Sequence, residues 1–221
     1  MSPRPSQRRR AARIAAAGLV LLVAACGVKL PGEGPPPRLF ALTPKTTFDP
    51  NLPKVDWQLI VAGPQAPASL NTVRIALSKT PIEVQYYANA AWVDRVPSMI
   101  QTLLIESFEN SGKIIAVGRE SIDVRADYML RTEIRHFEVE YKNGTPSPRV
   151  RIVAKLIKMP ERQIIGDTAC DYQTPAAKDT LDSIVESYDE VLGRCMRRIV
   201  EWTLRTGTRH RSAGAASHAG G

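Results

Sequence analysis

The chain has 221 residues, 43% hydrophobic and 24% charged, with 30 Lys and Arg against 22 Asp and Glu and a formal net charge of +8. That length allows one domain, or two small ones, with a core of its own, and the composition excludes wholesale disorder, a collagen-like repeat and a polytopic membrane protein. The basic total invites a nucleic-acid partner, but Arg4, Arg8, Arg9, Arg10 and Arg13 all fall within the first 13 residues.

Behind those arginines runs an uncharged stretch from Ile14 to Ala25. As a helix it would rise about 18 Å, short of a hydrocarbon core of about 30 Å, so it reads as an export signal and not as a membrane span. It ends in Val23-Ala24-Ala25-Cys26, an aliphatic residue, two small ones and a cysteine, which resembles a bacterial lipobox. Cleavage before Cys26 frees the amino group of the residue whose thiol takes a diacylglycerol. The alternative is a signal-anchor helix with an incidental cysteine. Removing residues 1–25 leaves 196 residues at a formal +3, and the case for nucleic acid goes with them. Two or three acyl chains, at about 0.8 kcal/mol per buried methylene, hold a protein on a bilayer permanently. Gly27 follows the cysteine where an aspartate favours the inner membrane. The expected address is therefore the periplasmic face of the outer membrane.

Residues 26–37 are the lipidated cysteine and a tether rich in proline and glycine. Eleven such residues reach about 35 Å at most. Residues 38–206 form the expected domain, and residues 207–221, small and polar, a disordered tail. Within the domain, β-patterned runs at Arg38–Leu42, Trp57–Val61, Val73–Leu77 and Ile82–Tyr87 are separated by prolines. Asp94 is placed to cap a helix with Pro97 in its first turn. Val96, Met99, Ile100, Leu103, Leu104 and Phe108 line one face, and Gly112 stops it. Ile114–Val117 is a short strand. Tyr128–Tyr141, Arg149–Lys158 and Gln163–Tyr172 form an antiparallel meander, with a reversal at Asn143-Gly144 and a bulge near His136 that reconciles two apolar parities. From Leu181 to Trp202 an apolar stripe marks a long helix. The expected fold class is α+β, a mainly antiparallel sheet packed by two amphipathic helices in a two-layer sandwich, after a cleaved lipoprotein signal peptide.

The chain has three histidines, His136, His210 and His218, and no HExxH, Cys-x-x-Cys, GxSxG or glycine-rich phosphate loop. Glu133, Glu138 and Glu140 share a strand with Arg131, Arg135 and Lys142, as an exposed charged face does. No catalytic residue, metal ligand or cofactor is expected beyond the covalent lipid on Cys26, and no enzyme activity. Once Cys26 is acylated, Cys170 and Cys195 are the remaining thiols. An oxidising compartment, a late strand and a helix that packs on it point to a disulfide, against the alternative of two small buried hydrophobes.

Arg38–Leu42 just after the tether, Leu59–Leu77, Ile82–Gly118 and Ser183–Leu204 resemble the auxiliary lipoproteins of ABC-type transporters, a group that includes paraquat-inducible protein C. The most specific piece is Tyr86-Tyr87-Ala88-Asn89-Ala90-Ala91-Trp92-Val93-Asp94, a strand that turns into the first helix. The resemblance implies partnership with a periplasmic MCE-domain protein and lipid traffic between inner and outer membranes. It is compatible with a ring of copies of this chain, and has no place for nucleic acid. The cysteine pair is no hallmark of that group. Tyr86, Tyr87 and Trp92 have two readings, core packing at a strand-to-helix corner or contact with the partner. A carrier that shelters an acyl chain between helix and sheet is the other functional reading.

Overall fold

Among the described residues, ten elements alternate hydrophobic and polar faces in ways that decide which side of each is buried. The computed structural model describes residues 36–120 and 125–219, with side chains as far as Gly214. The leader, Cys26 and the tether up to Pro35 lie outside the described residues. The elements are β1 (Arg38–Phe40), β2 (Val55–Val61), β3 (Arg74–Ser78), β4 (Gln85–Trp92), α1 (Val96–Asn110), β5 (Ile114–Arg119), β6 (Tyr128–Lys142), β7 (Thr145–Lys158), β8 (Gln163–Gln173) and α2 (Leu181–Ala219). Pro37–Gly221 is one compact unit. The whole core, from Leu42 to Leu204, lies inside it, so this unit has what it needs to fold alone.

The fold class is α+β with two helices on one eight-stranded sheet, but the sheet is mixed and not mainly antiparallel. β6 is its spine. β7 runs antiparallel along all of it, from Tyr128 opposite Lys158 to Lys142 opposite Thr145. The other edge of β6 is shared by two parallel partners, β2 at Tyr128–Leu130 and β3 at Glu138–Glu140. β5 lies parallel to β2 and β1 parallel to β4, while β3–β4 and β7–β8 are antiparallel. The expectation fails because Pro64 and Pro67 read as turns. They interrupt the strand without reversing it, and the chain travels on along β6. Ala62 N–H donates to the Leu130 carbonyl at 3.0 Å, and Gln65 pairs in passing with Glu133. Residues 62–73 thus carry the chain forward along one edge of β6, and β2 and β3 both run parallel to it.

Several boundaries also move. β4 continues past Tyr87 to Trp92 because Asn89, at φ 54°, sits in a register irregularity and not in a turn. β7 starts at Thr145 and runs through Pro146 and Pro148. A strand residue points its N–H and C=O to the same side, and these two prolines face the side where β8 has ended. Their carbonyls accept from Ala176 and Thr174 at 2.8 and 3.3 Å, and no ladder bond is lost for want of an N–H. Asn143 and Gly144, both at positive φ, make the two-residue hairpin. β6 changes register between Ile134 and His136, which lets Ile134 and Phe137 face the same core. Asp94 does not cap α1. Arg95 holds that position without a side-chain cap, and the Asp94 carboxylate accepts the Arg95 N–H at 2.6 Å.

The apolar stripe of α2 lies on β7 and β8. Ile184, Tyr188, Val191, Leu192, Cys195 and Ile199 face Val150, Ile152, Ala154 and Leu156, all sealed from solvent. Met196, Val200 and Leu204 widen the stripe. The tail expected to be disordered is helical through Ala219. Its grip is polar and small, which hydrophobic periodicity does not register. A Cβ on Gly207 would stand 2.6 Å from the buried Trp57 ring, so glycine alone lets α2 pass this close. Tyr128 Oη lies 3.2 Å from His210 Nδ1, and Arg211 pairs with Asp56 at 3.0 Å. Before β2, residues 38–54 are strapped across the helices. Arg38 pairs with Asp182 at 2.6 Å, Thr43 bonds Asp189 through N–H and hydroxyl, Lys45 N–H donates to Ser107 Oγ at 2.9 Å, and Asp49 N–H donates to Glu201 at 2.9 Å. Among the described residues no helix is long and apolar enough to cross a membrane.

Candidate interaction surfaces

The two thiols come together. Cys170 on β8 and Cys195 on α2 form a disulfide with Cα atoms 5.4 Å apart, within the span a bridge requires, and both residues are buried. The lipidation site Cys26 lies outside the described residues.

The aromatic corner does not act as one surface. Trp92 is 1% exposed, edge-on to Tyr188 at 5.2 Å and to Phe137 at 5.7 Å, so contact with a partner through its ring is corrected to core packing. Strand alternation agrees, since Trp92 lies two residues on from the core residue Ala90 and shares its face. Tyr86 lies under the Arg74 guanidinium, 3.7 Å from the ring centroid, and donates its hydroxyl to the Ser69 carbonyl at 3.1 Å. Tyr87 is hydrogen-bonded to Tyr141 at 2.9 Å, and Tyr141 donates to Asp179 at 2.9 Å, fastening β4 to the approach to α2. Burial, then the Tyr141 hydroxyl, holds the Tyr87 phenol well above its usual range. Both tyrosines are partly buried and engaged within the chain.

The apolar groups left exposed were hidden in the strand patterns. Ile82 is 97% exposed and Val84 53%, at the tip between β3 and β4. The sequence places them at the start of a strand, but β4 begins only at Gln85. Leu39, on the edge strand β1, is in register with Ala91, which puts it on the sheet's outer face. The tip borders an open groove of about 420 Å³ lined by Ser78, Lys79, His136, Glu138, Tyr141 and Arg149.

The floor of that groove is a charge network. His136, Glu138 and Glu140 bring potential metal-ligand atoms within 4.8 Å of one another. Those atoms are already satisfied: the Glu140 carboxylate accepts from Arg149 at 2.9 Å and Gln173 at 3.1 Å with Lys142 at 3.3 Å, and Glu138 is bonded to His136 at 2.5 Å and to the Phe137 N–H at 2.7 Å. A guanidinium in the cluster disfavours a second cation, so the group holds β6, β7 and β8 in register. Burial by itself would raise the Glu140 carboxyl, but bonds from Arg149, Lys142 and Gln173 outweigh it and hold it below its ordinary value; Arg149 lowers Asp171 likewise. Carboxyls lowered on folding contribute stability above their unfolded pKa values, and that contribution is lost as pH falls through the folded ones. Arg149→Met is therefore expected to cost about 1–2 kcal/mol at neutral pH, the groups being partly solvated. Its difference from wild type should shrink at pH values well below 4, where both carboxyls protonate. Urea unfolding across that range checks it; a constant difference would mean the loss is one of packing.

With this geometry in place, comparison with known proteins is direct. The crystal structure of protein XCC0632 from Xanthomonas campestris is 30% identical, covers 79% of this chain and 99% of its own, and superimposes with a TM-score of 0.75. A second solved structure, of an uncharacterized protein, shares the fold at a TM-score of 0.59 and 13% identity, over 75% of this chain and 97% of its own. Among curated proteins, the uncharacterized protein bll6063 of Bradyrhizobium diazoefficiens is 25% identical over 178 residues, which is 80% of this chain and 48% of that protein. The chain thus spans about half the length of the curated relative it matches. The family described as the ABC-type transport auxiliary lipoprotein component matches residues 39–200, from β1 to the core-packed part of α2. The chain belongs to the ABC-type transport auxiliary lipoprotein component family.

Proposed function

We propose that this chain is a non-enzymatic lipoprotein, anchored through Cys26 on the periplasmic face of the outer membrane, that serves as the auxiliary subunit of an ABC transporter whose periplasmic partner carries an MCE domain. Its work is lipid traffic between the two membranes. The observation that carries the reading is the family match, which takes in the strands and α2 as far as Val200. The structure adds a contact face of the right kind, the apolar tip of Ile82 and Val84 beside a polar groove. An anchor that confines the domain to a surface lets such a small face work without strong pairwise affinity.

The carrier reading has less support. An acyl chain between α2 and the sheet would have to displace Tyr188, Leu192, Cys195 and Ile199 from Val150, Ile152 and Leu156, and all of these are fully buried in mutual contact. The test is co-purification from membranes of the wild type, Cys26→Ala and the pair Ile82→Asp with Val84→Asp. Recovery of an MCE-domain protein with the wild type, reduced in both variants, is expected. A wild type that brings down no such protein would overturn the partnership.

A further inference from the structure

The charge of the folded unit is far from evenly spread. Residues 1–36 carry +5 of the +8, which leaves +3 for Pro37–Gly221. Residues 194–211 hold six arginines and one glutamate, a formal +5, so the rest of the unit is −2. The other end of α2 has the opposite sign, with Asp182, Glu186, Asp189 and Glu190 and no basic residue before Arg194. Side-chain spacing gathers Arg194, Arg197, Arg198, Arg205 and Arg209 on one open groove of about 490 Å³ against β8. From Arg194 to Arg209 the row runs about 22 Å along the helix.

Carboxylates neutralise only part of this row. Arg197 pairs with Glu201 and Arg205 with Asp49. Arg198 donates Nε to the Ala169 carbonyl at 2.8 Å, and Arg209 reaches the Thr206 hydroxyl at 3.3 Å; neither has a carboxylate partner among the described residues. Arg194 stacks on Tyr172, 4.5 Å from the ring centroid, with Glu190 no nearer than 4.0 Å. Tyr172 and Trp202, both half-buried, floor the groove. Trp202 lies over Gly166, where a Cβ would come 3.4 Å from the indole.

We infer that this arginine row is a docking surface for the phosphate headgroups of an anionic bilayer, which lays the carboxyl-terminal half of α2 on the membrane. A straight row of guanidiniums, held in place by the aromatic side chains behind it, matches a plane of phosphates. Geometry makes the bilayer the nearest polyanion. The chain enters the unit at Arg38, which is paired with Asp182 in the first turn of α2. Arg198 lies about 24 Å farther along the helix, and an extended tether of residues 27–37 spans about 35 Å. The acidic first turns keep the entry end off the surface while the basic end meets it. The inference rests on the family's lipoprotein character and stands whether or not the partner is an MCE protein.

The test is sedimentation of the unit Pro37–Gly221 with vesicles of phosphatidylcholine alone or mixed with phosphatidylglycerol. Each basic side chain at an anionic surface is worth about fivefold in binding, so Arg194→Gln, Arg198→Gln and Arg209→Gln together should weaken binding to the mixed vesicles about a hundredfold. Added salt should weaken the wild type. The charge-matched set Arg131→Gln, Arg135→Gln and Lys155→Gln on the opposite sheet face should leave binding within about fivefold. Circular dichroism and thermal melting confirm that each set is folded. Equal sedimentation with phosphatidylcholine alone, equal loss in both triple variants, or calorimetric binding of inorganic phosphate as tight as binding to vesicles would overturn the proposal.

Discussion

Trp92→Ala is expected to lower the free energy of unfolding by about 4 kcal/mol, at the upper end of large-to-small core substitutions. For a domain of this size that is a fall of about 10 °C in melting temperature. The ring joins three elements, since Trp92 comes from β4, Phe137 from β6 and Tyr188 from α2, and all three are buried against one another. Removing it leaves a void that a sheet edge and a helix cannot close together. Trp92→Phe should cost clearly less. The indole N–H is buried without a hydrogen-bond partner among the described residues, so phenylalanine gives up packing but no bond. Denaturant unfolding of both variants checks this. A stable Trp92→Ala protein that fails to bind its partner would restore the ring to the contact surface.

The second large effect is that of the bridge. Cys170→Ala with Cys195→Ala, or reduction of the wild type, is expected to remove about 3.5 kcal/mol, the loop-closure entropy of a crosslink across 25 residues. Both residues are buried, so reductant should act slowly on the folded protein and quickly in denaturant. Alkylation without reductant, followed by mass spectrometry, gives the direct reading. Two alkylated cysteines in the protein recovered from the envelope would overturn the bridge.

The contrast between these two sites shows what a sequence discloses. Cys170 and Cys195 could be paired from the sequence because one falls late in the last strand and the other on the apolar stripe of the helix that packs on it. Periodicity likewise found the buried side of α1, the parity change near His136 and the long stripe of α2. Partner choice among strands was not legible, because it depends on where a connection travels, and Pro64 and Pro67 look the same whether they reverse a chain or merely interrupt it. Trp92 was ambiguous until the strand was known to run through Asn89, which settled which way the ring points. Ile82 and Val84 were hidden for the converse reason: alternation around Glu83 looks like a strand, and at a tip it leaves both side chains in solvent. The arginine row was visible in composition but not as a surface, since Arg197, Arg198, Arg205 and Arg209 converge only when α2 is known to continue past Gly207.

The strapping of residues 38–54 has a mechanical meaning. Any load applied at the amino-terminal end of the unit enters at Arg38 and Thr43, whose ties go to Asp182 and Asp189 on α2. It passes along the helix to Cys195 and crosses to β8 through a covalent bond. β1 has only three residues paired with β4, an edge that a pull could peel away if it stood alone. Because Arg38 is itself the first residue of β1, its tie to Asp182 fastens that edge to α2, and the bridge fastens α2 to the meander.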